Sequence, residues 1–193
     1  EFDSGDEKSL HAALHQGFVL ADIKITLDRE PSSLPPSPHH APRVETRVRK
    51  GDLPWLQAMG REIGMRSRFA FDRNFPRSAA GRMYDEWLRN SAARQVADAL
   101  FLVRDPRSGE PVAFATCRRY PGYGDIPLVA TAPAHRGKGL APLCVIRAAR
   151  HLHRAGCPTV QITTQASNLA ALRTYEKLGF RICRTKIFLH RWF

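Results

Sequence analysis

The chain has no pair of cysteines close enough to clamp a metal or to run thiol–disulfide exchange. Its four, Cys117, Cys144, Cys157 and Cys183, stand 27, 13 and 26 residues apart. Zinc ribbons and thioredoxin-type sites need near-adjacent pairs, and disulfide frameworks belong to small secreted chains. Reduced, mostly buried thiols are therefore predicted. His151, His153 and Cys157 are the one nearby set of metal-ligating residues. Alternating histidines on a helix point to different faces, so no metal is expected. No apolar run reaches the ~20 residues of a membrane helix. The first 30 residues also lack the basic start, apolar run and small-residue cleavage site of a secretory signal. A soluble, cytoplasmic protein with no membrane partner is the expectation.

Acidic residues are scarce as well, 18 Asp+Glu against 30 Lys+Arg, for a formal net charge of +12. Such a surface attracts nucleic acid, anionic membranes and small anions alike. Runs of five or more basic residues interleaved with aromatics, the mark of a nucleic-acid binder, are missing; the longest cluster is Arg47, Arg49 and Lys50. Arginine outnumbers lysine, and its planar fork of donors suits phosphate and carboxylate. Small anionic ligands rather than a nucleic-acid polymer are predicted.

What is present reads as one globular domain with a small addition. The chain has 193 residues, 43% hydrophobic and 25% charged, enough to bury a continuous core. A short helix is predicted from Glu7 to Gln16, closed by Gly17, and a strand from Phe18 to Leu27. Pro31 to Pro42 holds five prolines in twelve residues and suits neither regular structure. Residues 1–30 are accordingly an N-terminal appendage, an incomplete module; 31–42 are a Pro-rich linker, and 43–193 are the main domain. No internal repeat is evident.

In the main domain a strand is predicted over Val44 to Arg49. A helix capped by Asp52, with Pro54 in its first turn, runs to Gly64. Ala80, Met83, Tyr84, Trp87 and Leu88 trace one apolar helical face after Pro76. The stretch between, with Arg68, Phe69, Phe71, Asp72 and Phe75, reads as an aromatic loop, a substrate wall or a packed connection. Ala99–Arg104 and Pro111–Arg119 form a hairpin, and Asp125–Thr131 a further strand. Helix, strand Thr159–Thr164, helix Asn168–Leu178 and a strand from Phe180 complete a mixed α/β sheet with helices on both faces.

The segment richest in chemistry joins that further strand to the next helix: Arg136-Gly137-Lys138-Gly139-Leu140-Ala141. Glycines at a helix mouth let unpaired amides approach an anion, and the helix dipole favours negative charge. Walker A and GxGxxG patterns are both missing. The pattern is R-x-x-G-x-A, a phosphate cradle of another kind.

This pattern resembles the R/Q-x-x-G-x-G/A turn of the GCN5-related N-acetyltransferase (GNAT) superfamily. Downstream, Asn168-Leu169-Ala170-Ala171 with Tyr175, Gly179 and Phe180 is similar to that family's N-x-x-A-x-x-x-Y-x-x-x-G-F block, and the likeness covers about residues 44–193. It implies acetyl-coenzyme A as cosubstrate, with the pyrophosphate at Arg136, Gly137, Lys138, Gly139, Leu140 and Ala141. It also implies a splayed fourth strand, Val129, Ala130 and Thr131, along the pantetheine arm, and Asn168 as a further contact or simply a helix cap. Tyr175 is the expected proton donor to the departing thiolate, or else a buried structural tyrosine. Asp125, Asp72 and His135 are candidates for the general base, with an ordered water as another. Gly17 to Asp22, Ser67 to Asp72, Asn74 to Pro76, Tyr84 and Trp87 resemble the dTDP-fucosamine acetyltransferase-like subgroup. That likeness implies a nucleotide-linked amino sugar as acceptor, in surface polysaccharide biosynthesis. A protein N-terminus or other small amine, and a non-catalytic nucleic-acid or partner-binding role, are the alternatives. The oligomeric state, a homodimer included, stays open.

Overall fold

The run Ala99-Leu100-Phe101-Leu102-Val103 is apolar at every position, the signature of a strand covered on both faces. The computed structural model, which describes residues 1–36 and 41–193, places that strand inside a sheet with helices on either side. In chain order the elements are β1 (Phe2–Asp3), α1 (Glu7–His15), β2 (Val19–Arg29), β3 (Val44–Glu45), α2 (Leu53–Gly64), α3 (Arg68–Phe71), α4 (Arg77–Ala92), β4 (Ala99–Arg104), β5 (Pro111–Tyr120), β6 (Tyr123–Asp125), β7 (Val129–Thr131), α5 (Leu140–Arg154), β8 (Val160–Gln165), α6 (Leu169–Lys177) and β9 (Arg181–His190). The strand order is β1-β9-β2-β8-β6-β5-β4-β3, with β7 also on β5. Among the described residues only β6 and β8 pair in parallel. This is the mixed, mostly antiparallel sheet the sequence predicts.

Alternation along β4 divides the core in two. Ala99, Phe101 and Val103 face a cluster with Val145, Ala149 and Leu152 of α5, while Leu100 and Leu102 face a second with Leu56 of α2 and Leu88 of α4. Tyr175 and Phe180 belong to the α5 side. Both faces of the sheet are thereby removed from water around β4 and β5, whereas β9 and the start of β2 stay partly exposed.

Several elements depart from the sequence expectations. The strand at Val44 stops after two residues because the chain turns to Arg104, whose guanidinium donates to the Arg47 carbonyl at 3.1 Å. Asp52 stands at the N-cap position of α2, but its side chain makes no bond to that helix; its carboxylate accepts from Arg104 at 2.7 Å and, closing the 3-10 turn Lys50–Asp52, from the Arg49 amide at 2.7 Å. The hydrogen bond and charge of Asp52, with Glu45 behind it, push the Arg104 guanidinium further up. Arg68–Phe71, expected as loop, closes one helical turn. The expected strand Asp125–Thr131 is split at Ile126–Leu128. Within the Pro-rich stretch Pro31–Ser33 forms a 3-10 turn, and Leu34 and Ala41 pack on the core; Ser37 to His40 lie outside the described residues. Finally, β2 lies inside the sheet, between β8 and β9.

Candidate active site

The split between β6 and β7 opens the site. Gly124 and Ile126 donate to Thr159 and Gln161 at 2.8 and 3.0 Å, so even-numbered residues face β8 there. Two residues on, Leu128 is turned the other way: its carbonyl accepts from Thr116 of β5 at 2.9 Å and its amide donates to the Thr116 hydroxyl at 3.2 Å. One extra residue has reversed the alternation, as in a β-bulge. Beyond it β7 pairs with β5 alone, and Ala130 turns its backbone to Phe114. Val129 and Thr131 then direct their backbone groups away from β5, where among the described residues no strand meets them.

β7 runs through a turn at Pro133–His135 to the mouth of α5. Gly137 and Gly139 have φ of 76° and 73°, the left-handed region that costs other residues about 1–2 kcal/mol. A methyl at either glycine would meet nothing within 4 Å, so the space over the turn is open. Among the described residues the amides of Gly137, Lys138, Gly139, Leu140 and Ala141 have no backbone partner, and no side chain caps the helix. Pro142, third in the helix, has no amide to leave unpaired. Converging free amides with open space before them fit a diphosphate, and the uncapped positive end of a helix dipole adds to the fit.

The cations of that turn are not equally free. Arg136 forms an ion pair with Glu62 of α2 and donates to the Thr131 carbonyl at 3.3 Å. Lys138 and Leu140 border a cavity of about 800 Å³ on the outer side, with Arg43, Arg107 and His135. His135 faces Asp105 there at 3.0 Å.

A second cavity, of about 790 Å³, lies where β7 parts from β8. It is bordered by Asp125, Val129, Asn168 and Tyr175, with Trp87 of α4 and Arg184 of β9. Tyr175 belongs to the core and borders this cavity, and among the described residues its hydroxyl makes no hydrogen bond. Burial pushes its phenol up, keeping it protonated at neutral pH. Burial also raises the Asp125 carboxyl to about 6, against a small opposing pull from the Ile126 amide. Asn168 accepts from the Ala171 amide at 3.3 Å and donates to Thr164 at 3.1 Å, so it caps α6 while bordering the cavity.

Of the three candidate bases, Asp125 alone borders the cavity that Tyr175 borders. Asp72 is held by His190 at 2.5 Å and Trp192 at 3.0 Å. Although burial works to raise it, those bonds and the Asn74 amide keep its carboxyl below the ordinary range. The cavity also has a basic rim that sequence reading did not single out, Lys24, Arg118, Arg184 and Lys186 against Glu86 and Asp125. These residues come from β2, β5 and β9, and no local motif joins them.

The family described as "Acetyltransferase (GNAT) family" matches residues 66–180. A mycothiol acetyltransferase of Mycobacteroides abscessus is 37% identical over 89 residues, 45% of this chain and 30% of that protein. The spore coat polysaccharide biosynthesis protein SpsD of Bacillus subtilis is 25% identical over 142 residues, 74% of this chain and 48% of that protein. Among solved structures, a GCN5-related N-acetyltransferase from Sphaerobacter thermophilus superimposes with a TM-score of 0.72 at 18% identity, covering 97% of this chain and 57% of that one. The chain thus spans about half or less of the length of the curated relatives named here.

Proposed function

The chain belongs to the acetyltransferase (GNAT) family, and from that premise we propose that it transfers an acetyl group from acetyl-coenzyme A to the amine of a small anionic acceptor. The observation that carries this reading is the parting of β7 from β8 beside the uncapped mouth of α5. The amides of Gly137 to Ala141 would hold the cosubstrate's diphosphate, and the outward backbone groups of Val129 and Thr131 its amide arm. The bound cosubstrate supplies an activated acetyl thioester.

The chain's own residues supply the proton transfers. Asp125, with a carboxyl near 6, is ionised at neutral pH and basic enough to take a proton from the acceptor ammonium. That leaves a neutral amine to attack. Tyr175 holds its proton at the hydroxyl until a thiolate departs, and donates it there.

For the acceptor, a nucleotide-linked amino sugar of the dTDP-4-amino-4,6-dideoxyhexose type is the first reading. The cations Lys24, Arg118 and Arg184 suit its diphosphate, with Lys186 beside them paired to Glu1, and the likeness to a spore coat polysaccharide protein points the same way. A second reading, the acceptor of the mycothiol acetyltransferases, is favoured by the 37% identity to one of them. Release of coenzyme A thiol measured with each acceptor, and with a peptide amine as control, separates the readings. Thiol release with the peptide alone would overturn both acceptors, and no saturable heat with acetyl-coenzyme A in calorimetry would overturn the enzyme itself.

A further inference from the structure

The hairpin of β5 and β6 carries four side chains on one face, and one of them has two places to go. Alternation along the strands settles the face. A methyl on Gly124 would meet Leu152 of α5 at 2.7 Å, and Cys117 is buried in the α5 side of the core. Their neighbours Asp125 and Arg118 therefore point the other way, toward the cavity that both border. Arg118 stands directly opposite Asp125, and Tyr120 directly opposite Tyr123. Residues opposite each other in an antiparallel pair share a face and interact. The rung that holds the proposed base thus also holds an arginine, and the next rung holds two phenol rings. Between the rings the chain turns in two residues, Pro121 and Gly122, with Gly122 at φ of 83°. Proline followed by a glycine at positive φ is a turn closed by backbone conformation, with no need of the rings.

Opposite charges placed across a rung are positioned to pair. Among the described residues these two do not, and Arg118 makes no ion pair at all. Its guanidinium lies instead over the Tyr120 ring, 5.3 Å from the centroid, within reach of the ring's quadrupole. Tyr120 is in turn stacked on Tyr123, with centroids 5.1 Å apart and planes 14° from parallel, which braces the ring that carries the cation. Asp125 registers the choice. Burial is what raises its carboxyl, and only the Ile126 amide works against it; the Arg118 charge takes no part. The other charges around the cavity, Glu86 of α4, Lys24 of β2 and Arg184 and Lys186 of β9, take no part either. Tyr175 of α6 stays protonated, and Gln161 of β8, opposite Asp125 on its other side, is neutral. Arg118 is the one charge set directly across from the base, and it is turned aside.

We propose that Tyr120 is a positioning residue for the acyl transfer: braced by Tyr123, its ring holds Arg118 off Asp125, so that the carboxylate meets the acceptor ammonium unpaired. The inference rests on the reading of Asp125 as the base. An arginine on that carboxylate would favour its ionised form, weaken its hold on a proton, and occupy the oxygens that the ammonium must reach. Over the ring, the same guanidinium keeps its N–H donors at the cavity's edge, where an anionic group of the acceptor can take them. One arginine thereby serves acceptor binding without silencing the base. Tyr120 needs no contact with the reacting atoms for this; it acts through Arg118.

Carbon-13 NMR titration of the Asp125 carboxyl reads this directly and without turnover, Asp125→Asn serving to assign the resonance. The unaltered protein titrates at about 6. Tyr120→Leu replaces a side chain at an exposed position and leaves the core intact. Arg118 then moves onto Asp125, and the midpoint falls by about one pH unit or more. Tyr120→Phe keeps the aromatic face and the original midpoint. Adding Arg118→Gln to Tyr120→Leu brings the midpoint back to about 6, because the arginine was the cause. An unmoved midpoint in Tyr120→Leu overturns the proposal, and so does a lowered one that Arg118→Gln fails to restore. Rates distinguish this failure from that of the base itself. In Tyr120→Leu the acidic limb of kcat follows the midpoint down, and the plateau drops several-fold because a weaker base remains. A midpoint that moves while the limb stays would take the base away from Asp125, and the proposal with it. A limb lost in Asp125→Asn but unmoved in Tyr120→Leu would keep the base and reject Tyr120.

Discussion

The two sides of the cleft are built by opposite means. On the donor side, the turn from Arg136 to Ala141 is a single contiguous segment whose work is done by backbone amides and two left-handed glycines. On the acceptor side, the wall is assembled from side chains of β2, β5, α4 and β9, with Lys24 and Arg184 separated by most of the chain. A backbone site tolerates changes of neighbouring side chains, but not a change in φ. A side-chain wall tolerates backbone adjustment but changes selectivity with every substitution. Donor recognition is therefore the fixed half of such a protein and acceptor recognition the variable half.

Four substitutions would break or sharpen that contrast. Tyr175→Phe, at the meeting of the two halves, is expected to lower kcat by about 100-fold or more with acetyl-coenzyme A affinity unchanged, measured by steady-state rates and calorimetry. An unaltered kcat would return Tyr175 to a purely structural part. Asp125→Asn should cost about 100-fold as well, and it carries a pH signature. Because the carboxylate form is the active one, the wild-type rate rises with pH through about 6 and the variant's does not. A persistent acidic limb in the variant would assign the base elsewhere. Gly139→Val forces a β-branched residue to φ of 73° and should weaken acetyl-coenzyme A binding by about 10-fold while leaving acceptor KM alone. Arg184→Gln is its mirror on the acceptor side. A rise of about 2-fold in acceptor KM is expected, shrinking in high salt, with the donor unaffected. If the last two variants each disturbed the other substrate, the separation of the halves would be wrong.

The same contrast decides what could be read from the sequence. The places of the turn at a helix mouth, of Asn168 at a helix start and of Tyr175 on an inward helix face were legible because these are local facts, while the roles proposed for them come from the family resemblance. The helices at Glu7, Leu53 and Arg77 and the hairpin of β4 and β5 were legible for the same reason. Asp52 does stand at the N-cap of α2, but that its carboxylate is spent on Arg104, 52 residues away, no local spacing encodes. The basic rim and the reversal at Ile126–Leu128 depend on which strands meet, and no spacing along the chain encodes that.

The reversal between Ile126 and Leu128 makes the cleft's openness a matter of whole numbers. A gap held apart by bulky side chains or a flexible hinge can narrow by degrees. Here the alternation is out by one residue, so β7 cannot zip onto β8 by small motions: it would have to slide a full position along β5, turning every side chain it carries to the opposite face. The opening is written in the count of residues. Removing one residue from that stretch would do what no breathing of the sheet can, and heal the cleft shut.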